Sequence, residues 1–489
     1  MVSIKAIHKF DCDVLIIGGG PSGSALAYYL AKKGIHVIVA EAQKFPRDKV
    51  CGDAVSPVAL AELQNLGITA TEEFTKANQV NNVSLFIGEE EMTVNLIKAD
   101  NLPFHGRVIP RLILDKWISD AAKKAGAIYL EDARLSTYST NEDYALAELK
   151  TDGSIKKLKT KVIIGADGSN STVSRILNGS KPKESYQLLG LRAYYEGVNG
   201  PVERCDIHFA GDNFPGLFWF FPVGNGTANI GSAMIAKTLP RNELHVKTIL
   251  EEQIKKNIKF AGRVGEGKMI GKVSGWPLTF RDPKDQITGE RLLLVGDAAG
   301  LINPLSGDGI QYALLSARWA SEVLTDCFAR KDFSNTSLKA YSKKIADELA
   351  YDLALSDLLI QVTRNRTFTP LWMEVLLVLI KRAKVDKSYA AIIAGIFDGT
   401  LPSYKALDPQ FILKSIMQGG IHIGTNTAAG IIKGPEYWMK KTRQTGDLAT
   451  KVAREIIHDP RGQVKWLAGV VSKGLTVSSH VLKSVKSGK

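Results

Sequence analysis

One short segment constrains this chain more than any other: Gly18-Gly19-Gly20-Pro21-Ser22-Gly23. It follows Val14, Leu15, Ile16 and Ile17, an apolar run that reads as a buried strand. Residues 24–33 place Leu26, Tyr29 and Leu30 at helical spacing, and Gly34 supplies a stop. Residues 35–40 read as a second, largely β-branched strand that ends at Glu41. Strand, glycine turn, helix and strand make a complete βαβ unit. Without side chains at Gly18, Gly20 and Gly23, a backbone can come close to a pyrophosphate. Pro21 and Ser22 open the helix, whose first N–H groups and positive dipole end favour an anion. Glu41 can accept hydrogen bonds from a ribose diol and disfavours a 2′-phosphate. The turn therefore predicts bound FAD or NAD rather than NADP.

A second glycine cluster separates these two. Gly296-Asp297-Ala298-Ala299-Gly300 follows another apolar run, with Pro304, Gly307, Asp308, Gly309 and Ile310 leading into a helix. Asp297 can hydrogen-bond a ribityl or ribose hydroxyl. Gly307 and Gly309 let amides approach the pyrimidine edge of a flavin, where negative charge collects on reduction. A dehydrogenase that binds only NAD needs no such loop, so FAD is the expected cofactor. A third segment, Gly165-Ala166-Asp167-Gly168-Ser169-Asn170-Ser171, also follows an apolar run. Asp167 there either contacts the cofactor or holds the turn.

At 489 residues, 45% apolar and 23% charged, the chain is globular and long enough for several subdomains. It lacks an apolar run of transmembrane length and a secretory leader pattern. The four cysteines, Cys12, Cys51, Cys205 and Cys327, are scattered. They show neither metal-ligand spacing nor a disulfide framework, so no metal and a reducing, cytoplasmic setting are expected. The net charge of +13 is concentrated late: residues 431–489 hold twelve Lys or Arg against four Asp or Glu. Charge alone fits nucleic acid, anionic lipid, an anionic substrate or a solubilising surface.

Residues 111–126 read as a helix with Leu112, Leu114 and Trp117 on one face. Residues 80–97 and 188–273 read as strands, the latter aromatic-rich and mostly antiparallel. In Phe218-Trp219-Phe220-Phe221, alternation sends Trp219 and Phe221 to one face and the other two to the opposite face. One face packs on helices; the other is core or the wall of an apolar tunnel beside the flavin, extended by Trp276-Pro277. From Ile310 onward the pattern is helical. The run 371–380 is too short to span a bilayer and reads as a core helix or an interfacial dip. Basic amphipathic segments at 449–457 and 464–471, with Trp438 and Trp466, suit an anionic membrane surface or a helical cap.

The three glycine segments, in this order, resemble the class of FAD-dependent oxidoreductases that contains para-hydroxybenzoate hydroxylase, over residues 11–324. The resemblance implies an α/β fold, α+β overall. A Rossmann-like FAD-binding domain (8–80, 105–185 and 286–330) would be interleaved with an antiparallel β-sheet substrate domain (81–104 and 186–285). A helical region (331–489) would follow, its basic tail from about 431. Arg111 would contact FAD from its helix.

Within that class, Phe45-Pro46-Arg47-Asp48-Lys49-Val50-Cys51-Gly52 resembles the P-R-x-K-x-C-G segment of the geranylgeranyl reductase family. Asn303 to Ile310 resembles its N-P-L-x-G-x-G-I, and Leu217 to Pro222 its aromatic-x-W-x-F-P. Two positions depart: Leu217 stands for an aromatic residue, and Asp53 follows Gly52 where the family doubles the glycine. Both fall near the substrate. The resemblance implies reduction of C=C bonds in an isoprenoid or lipid-like apolar substrate by hydride from flavin N5, with NADPH or ferredoxin as electron donor. Cys51, as proton donor or substrate orienter, Trp219 and Phe221 are the catalytic candidates. Arg47, Cys51, Gly52 and Asp167 join the glycine loops, Glu41, Arg111 and Asp297 as cofactor contacts. Lys49 faces a phosphate or solvent. The competing readings are a monooxygenase or halogenase of the same fold and a flavin electron carrier to membrane quinone. A peripheral anionic membrane surface is a candidate partner; nucleic acid is not expected.

Overall fold

The apolar run before the glycine turn lies at the centre of an eight-stranded sheet. Cys12–Ile17 pairs in parallel with Val37–Ala40 on one side and with the end of Ser154–Gly165 on the other. Ile128–Leu130 and Leu292–Leu294 extend the parallel array at either flank. Residues 14–17, Val37–Ala40 and Leu292–Leu294 read as unbroken apolar runs because both their faces are buried, whereas Ile128–Leu130 at the flank is half-exposed. The helix after the turn, Pro21–Ala31, packs against Arg111–Lys124 and Ile310–Arg330. The structure is a computed structural model; it describes residues 10–96, 102, 105–209, 216–238, 246–303, 306–401, 403–407, 410–419 and 450–487.

Ser154–Gly165 is longer than its buried end. Its outer half pairs antiparallel with Ala145–Thr151, which pairs in turn with Arg134–Thr140. These half-exposed strands lack a strong apolar signal, and the sequence reading missed them.

A seven-stranded sheet runs in the order Lys268–Thr279, Gln187–Glu196, Thr227–Ile235, Gly216–Gly224, Arg204–Phe209, Asn82–Ile87, Glu90–Asn95. Its pairings are antiparallel except one: Arg204–Phe209 lies parallel to Asn82–Ile87. A parallel pair needs a long crossover. Here the chain between the two strands contributes to the first sheet before it returns. Phe218 and Phe220 are buried against Ile249, Leu250 and Phe260, carried on Val246–Lys256 and Ile258–Val264. These two helices interrupt the stretch 188–273, whose pattern predicts strands throughout. A small sheet of Ala54–Val55, Gly106–Val108 and Asn78–Val80 lies against Gly216–Gly224.

The C-terminal part is helical: Asn335–Thr363, Thr369–Val385, Lys387–Phe397 and Pro460–Ser487. Thr369–Val385 buries Ile380 and Ala383 in a cluster with Leu85, Ile87 and Met92, so it is a core helix with Leu371 and Val375 on its exposed edge. Among the described residues, no helix is long and apolar enough to cross a membrane.

Candidate cofactor and substrate site

The glycines of the first turn are fixed by close approach. Gly18 has φ +102°, and a Cβ there would stand 2.4 Å from the Ala166 carbonyl oxygen; one on Gly23 would stand 2.0 Å from that of Gly18. Gly20 differs, since the nearest atom to its Cβ would be Arg47 Nη2 at 3.6 Å. It therefore opens onto space beside a guanidinium. Gly20 is also the N-cap of Pro21–Ala31 and makes no side-chain cap. The helix start thus presents its first-turn amides to an anion.

The three glycine segments meet here. Ala166 abuts Gly18, and a Cβ on Gly296 would fall 2.7 Å from Ser22 Oγ. Ser169 Oγ donates to Asp297 Oδ2 at 3.1 Å. Gly309, where a Cβ would lie 3.3 Å from Asp297 Oδ1, precedes the helix that starts at Ile310; Gly307, at φ +72°, faces open space. Pro304 lies outside the described residues. Asp167 accepts from Ser171 Oγ (2.5 Å), Thr172 N (2.7 Å) and Val173 N (3.2 Å). Its carboxylate thus holds the start of Thr172–Asn178, the structural alternative for this residue.

Charge at the cradle is paired. Glu41 accepts from Gly19 N at 2.8 Å and from Arg47 Nη2 at 3.2 Å. Arg47 Nη1 donates to Asp115 at 2.9 Å, and Arg111 Nε and Nη2 donate to the same carboxylate at 2.6 and 2.9 Å. Burial disfavours the charge on Arg111, but the Asp115 carboxylate outweighs it and raises the guanidinium pKa. Asp115 was not singled out in the sequence; its position four residues after Arg111 on one helix was the available signal. A Cβ-free turn at a helix start, with Glu41 and two arginines beside it, fits a dinucleotide such as FAD.

Cys51, Gly52 and Asp53 join this cradle to the seven-stranded sheet. Asp53 is buried in the left-handed region at φ +63°, the conformation that a second glycine would adopt freely. Its carboxylate accepts from Arg111 N (3.2 Å), Tyr194 Oη (2.5 Å) and Asn229 Nδ2 (2.7 Å). Burial pushes its pKa up to about 6, against these hydrogen bonds and the charges of Arg192 and Arg111. Asn229 also donates to the Cys51 carbonyl (2.8 Å) and accepts from Trp219 Nε1 (2.9 Å). Burial raises the Cys51 pKa despite Arg111, which keeps it a thiol, and Asp53 N donates to its Sγ at 3.3 Å. Arg192 clasps Asp48 at 2.7 and 2.8 Å, a second tie between this loop and the sheet. Lys49 Nζ stands 5.2 Å over the Trp276 ring, and burial lowers its pKa.

Trp219 and Phe221 lie on the face turned to this loop. Their rings stack with centroids 6.0 Å apart. A Cβ on Gly52 would come within 3.0 Å of Phe221 and 3.5 Å of Trp219, so only glycine lets the rings lie this close to the backbone. The sequence pointed to Cys51, Gly52, Trp219 and Phe221, and to Asp53 only as a departure near the substrate; Tyr194, Arg192 and Asn229 were missed. A polar residue in the apolar strand Thr227–Ile235 was the signal for Asn229.

The model of the FAD binding domain family matches residues 11–346. The menaquinone reductase of Mycolicibacterium smegmatis is 30% identical over 327 residues, which cover 64% of this chain and 76% of that protein. The digeranylgeranylglycerophospholipid reductase of Thermoplasma acidophilum is 29% identical over 339 residues, covering 68% and 83%. A geranylgeranyl bacteriochlorophyll reductase-like crystal structure, also from Thermoplasma acidophilum, superimposes with a TM-score of 0.61. It is 23% identical, covering 74% of this chain and 91% of that one, a likeness of fold.

Proposed function

The chain belongs to the geranylgeranyl reductase family of FAD-dependent oxidoreductases, and from that premise we propose that it reduces C=C bonds of an isoprenoid or other lipid-like apolar substrate. The observation that carries this reading is the stacked pair Trp219 and Phe221 over Gly52, beside the protonated Cys51. Such a wall offers contact area without hydrogen-bond demands, as an alkyl chain requires.

Gly18, Gly20, Pro21, Ser22 and Gly23 would hold the pyrophosphate of FAD, Glu41 its ribose, and Asp297, Gly307 and Gly309 the ribityl and pyrimidine end. When bound, FAD supplies the electron pair as hydride from N5, and NADPH or ferredoxin restores it. Trp219 and Phe221 align the chain and exclude water. Cys51 holds the proton at Sγ for the second alkene carbon. Asp53 and Asn229 position Cys51 and Trp219 relative to each other.

The menaquinone reductases among the relatives favour a second reading, a quinone as substrate. Both are tested by anaerobic turnover of prenyl lipids and of menaquinone, followed by mass spectrometry. A gain of two hydrogens per chain double bond is expected for the first reading; hydrogen gained only on the quinone ring selects the second. An absolute need for oxygen, or gain of oxygen or halogen, would overturn both in favour of a monooxygenase or halogenase.

A further inference from the structure

The helix Pro460–Ser487 carries two apolar rows on opposite sides. Its inner side is docked on Asn335–Thr363 and the turn that follows. Trp466 Nε1 donates to the Gln361 carbonyl at 2.7 Å, and Gln361 Nε2 returns a bond to the Trp466 carbonyl at 2.9 Å. The Trp466 ring stacks on Phe368 at 5.2 Å, Lys473 pairs with Asp357, and Val477 is buried. Trp466 therefore faces the protein, as the helical-cap alternative has it and not the membrane-anchor one; Trp438 lies outside the described residues.

The outer row is Val464, Leu467, Val471 and Leu475, exposed by 67%, 55%, 56% and 68%. Spacings of three and four residues align them along one side. A surface helix in a globular fold ordinarily carries one apolar stripe; a second one, pointing outward, marks a contact surface. Its chemistry limits the partner. The helix has five Lys or Arg, at 461, 465, 473, 483 and 486, and no Asp or Glu. Arg461 and Lys465, both exposed, border the row. The preceding helical turns at 450–458 add the exposed Ile456 and Ile457 among Lys451 and Arg454. The outer row is aliphatic throughout, with no aromatic or hydrogen-bonding anchor of the kind that fills a shaped protein pocket.

We propose that this outer face docks on an anionic lipid bilayer. The helix lies in the interfacial plane, with Val464, Leu467, Val471 and Leu475 among the acyl chains and Arg461 and Lys465 at the headgroup phosphates. The surface stands independently of the substrate, so its test needs no turnover.

The full chain is sedimented with vesicles of phosphatidylcholine alone and of phosphatidylcholine mixed with phosphatidylglycerol. Binding to the mixed vesicles, weakened by salt, is expected. The exposed-face variant Leu467→Gln/Val471→Gln/Leu475→Gln should lower partitioning at least ~10-fold. Arg461→Gln and Lys465→Gln should each lower it about fivefold. Near-ultraviolet circular dichroism and FAD content check that each variant is folded. Equal binding to both vesicle types, or binding unchanged by the triple variant, overturns the proposal. So does a lipid-free dimer that the triple variant dissociates, which would assign the row to a second copy of this chain.

Discussion

Trp219 donates its indole N–H to Asn229 Oδ1 across 2.9 Å, and Asn229 passes that contact on to Asp53 Oδ2 and the Cys51 carbonyl. One buried amide therefore sets the aromatic wall against the cysteine loop. Replacing it by leucine leaves the indole N–H, and part of the hydrogen bonding of Cys51 and Asp53, unsatisfied in a buried site. Asn229→Leu should cost about 2–4 kcal/mol in a denaturant titration. It should also shift tryptophan emission and lower kcat/KM at least ~10-fold. A variant with wild-type stability and emission would show that the amide does not fix the indole.

Asp53 combines a left-handed backbone with a buried carboxylate. Asp53→Gly keeps the backbone and loses the hydrogen bonds; Asp53→Ala loses both. The alanine variant should be less stable than the glycine variant by about 1 kcal/mol. The pH dependence follows from the raised pKa. The folded value of about 6 exceeds the ordinary 3.8, so the native state takes up a proton between them. The contribution of Asp53 is full below about pH 4 and is lost as pH rises through 6. Asp53→Asn should remove that component from stability measured across pH 4–7; an identical profile for wild type and variant would contradict it.

Gly20 and Gly23 separate cofactor binding from folding. A methyl at Gly23 would stand 2.0 Å from the Gly18 carbonyl oxygen, whereas one at Gly20 meets nothing within 3.5 Å. Gly23→Ala should disrupt the turn and give little folded protein. Gly20→Ala should fold, with its melting temperature without cofactor within a few degrees of wild type, yet bind FAD at least ~10-fold more weakly by fluorescence titration. Equal FAD affinity in Gly20→Ala would remove that turn from the cradle.

His208 lies buried between Phe86 (centroids 4.2 Å, parallel) and Phe260 (4.9 Å, edge-on), and among the described residues neither ring nitrogen has a hydrogen-bond partner. Burial, with Arg204, Lys259 and Arg263 nearby, lowers its pKa to about 3. The unfolded chain binds a proton near pH 6.5 and the folded chain does not. Stability should therefore fall as pH drops from about 6.5 towards 3. His208→Phe should flatten that acid limb in thermal melts, and an unchanged limb would count against a neutral buried imidazole.

The glycine loops, Glu41 and the Arg111 helix were legible because local rules place them. A turn that must lack Cβ atoms and a helix that starts where it ends leave their mark in consecutive residues. Residues 14–17, Val37–Ala40, the end of Ser154–Gly165 and Leu292–Leu294 were legible as unbroken apolar runs, whereas the short Ile128–Leu130 was not. The hairpin of Arg134–Thr140 and Ala145–Thr151 was not, because half-exposed strands show no such run. Trp219 and Phe221 could be assigned to one face by alternation, but their partners could not. Asp53, Asn229 and Tyr194 are separated by 35 to 176 residues; Tyr194 and Asn229 become neighbours only in the antiparallel pairing of Gln187–Glu196 with Thr227–Ile235, and Asp53 reaches both from the loop before Ala54–Val55.

The sequence by itself thus determined a dinucleotide cradle, the chemistry of its occupant and an aromatic strand, since each is written in residues adjacent along the chain. Only the tertiary structure decided how Asp53 fills a glycine conformation, which side chain holds Trp219, and that Trp466 faces inward while Val464 to Leu475 face out. Those outcomes depend on burial and on hydrogen bonds between distant segments, which no local pattern encodes.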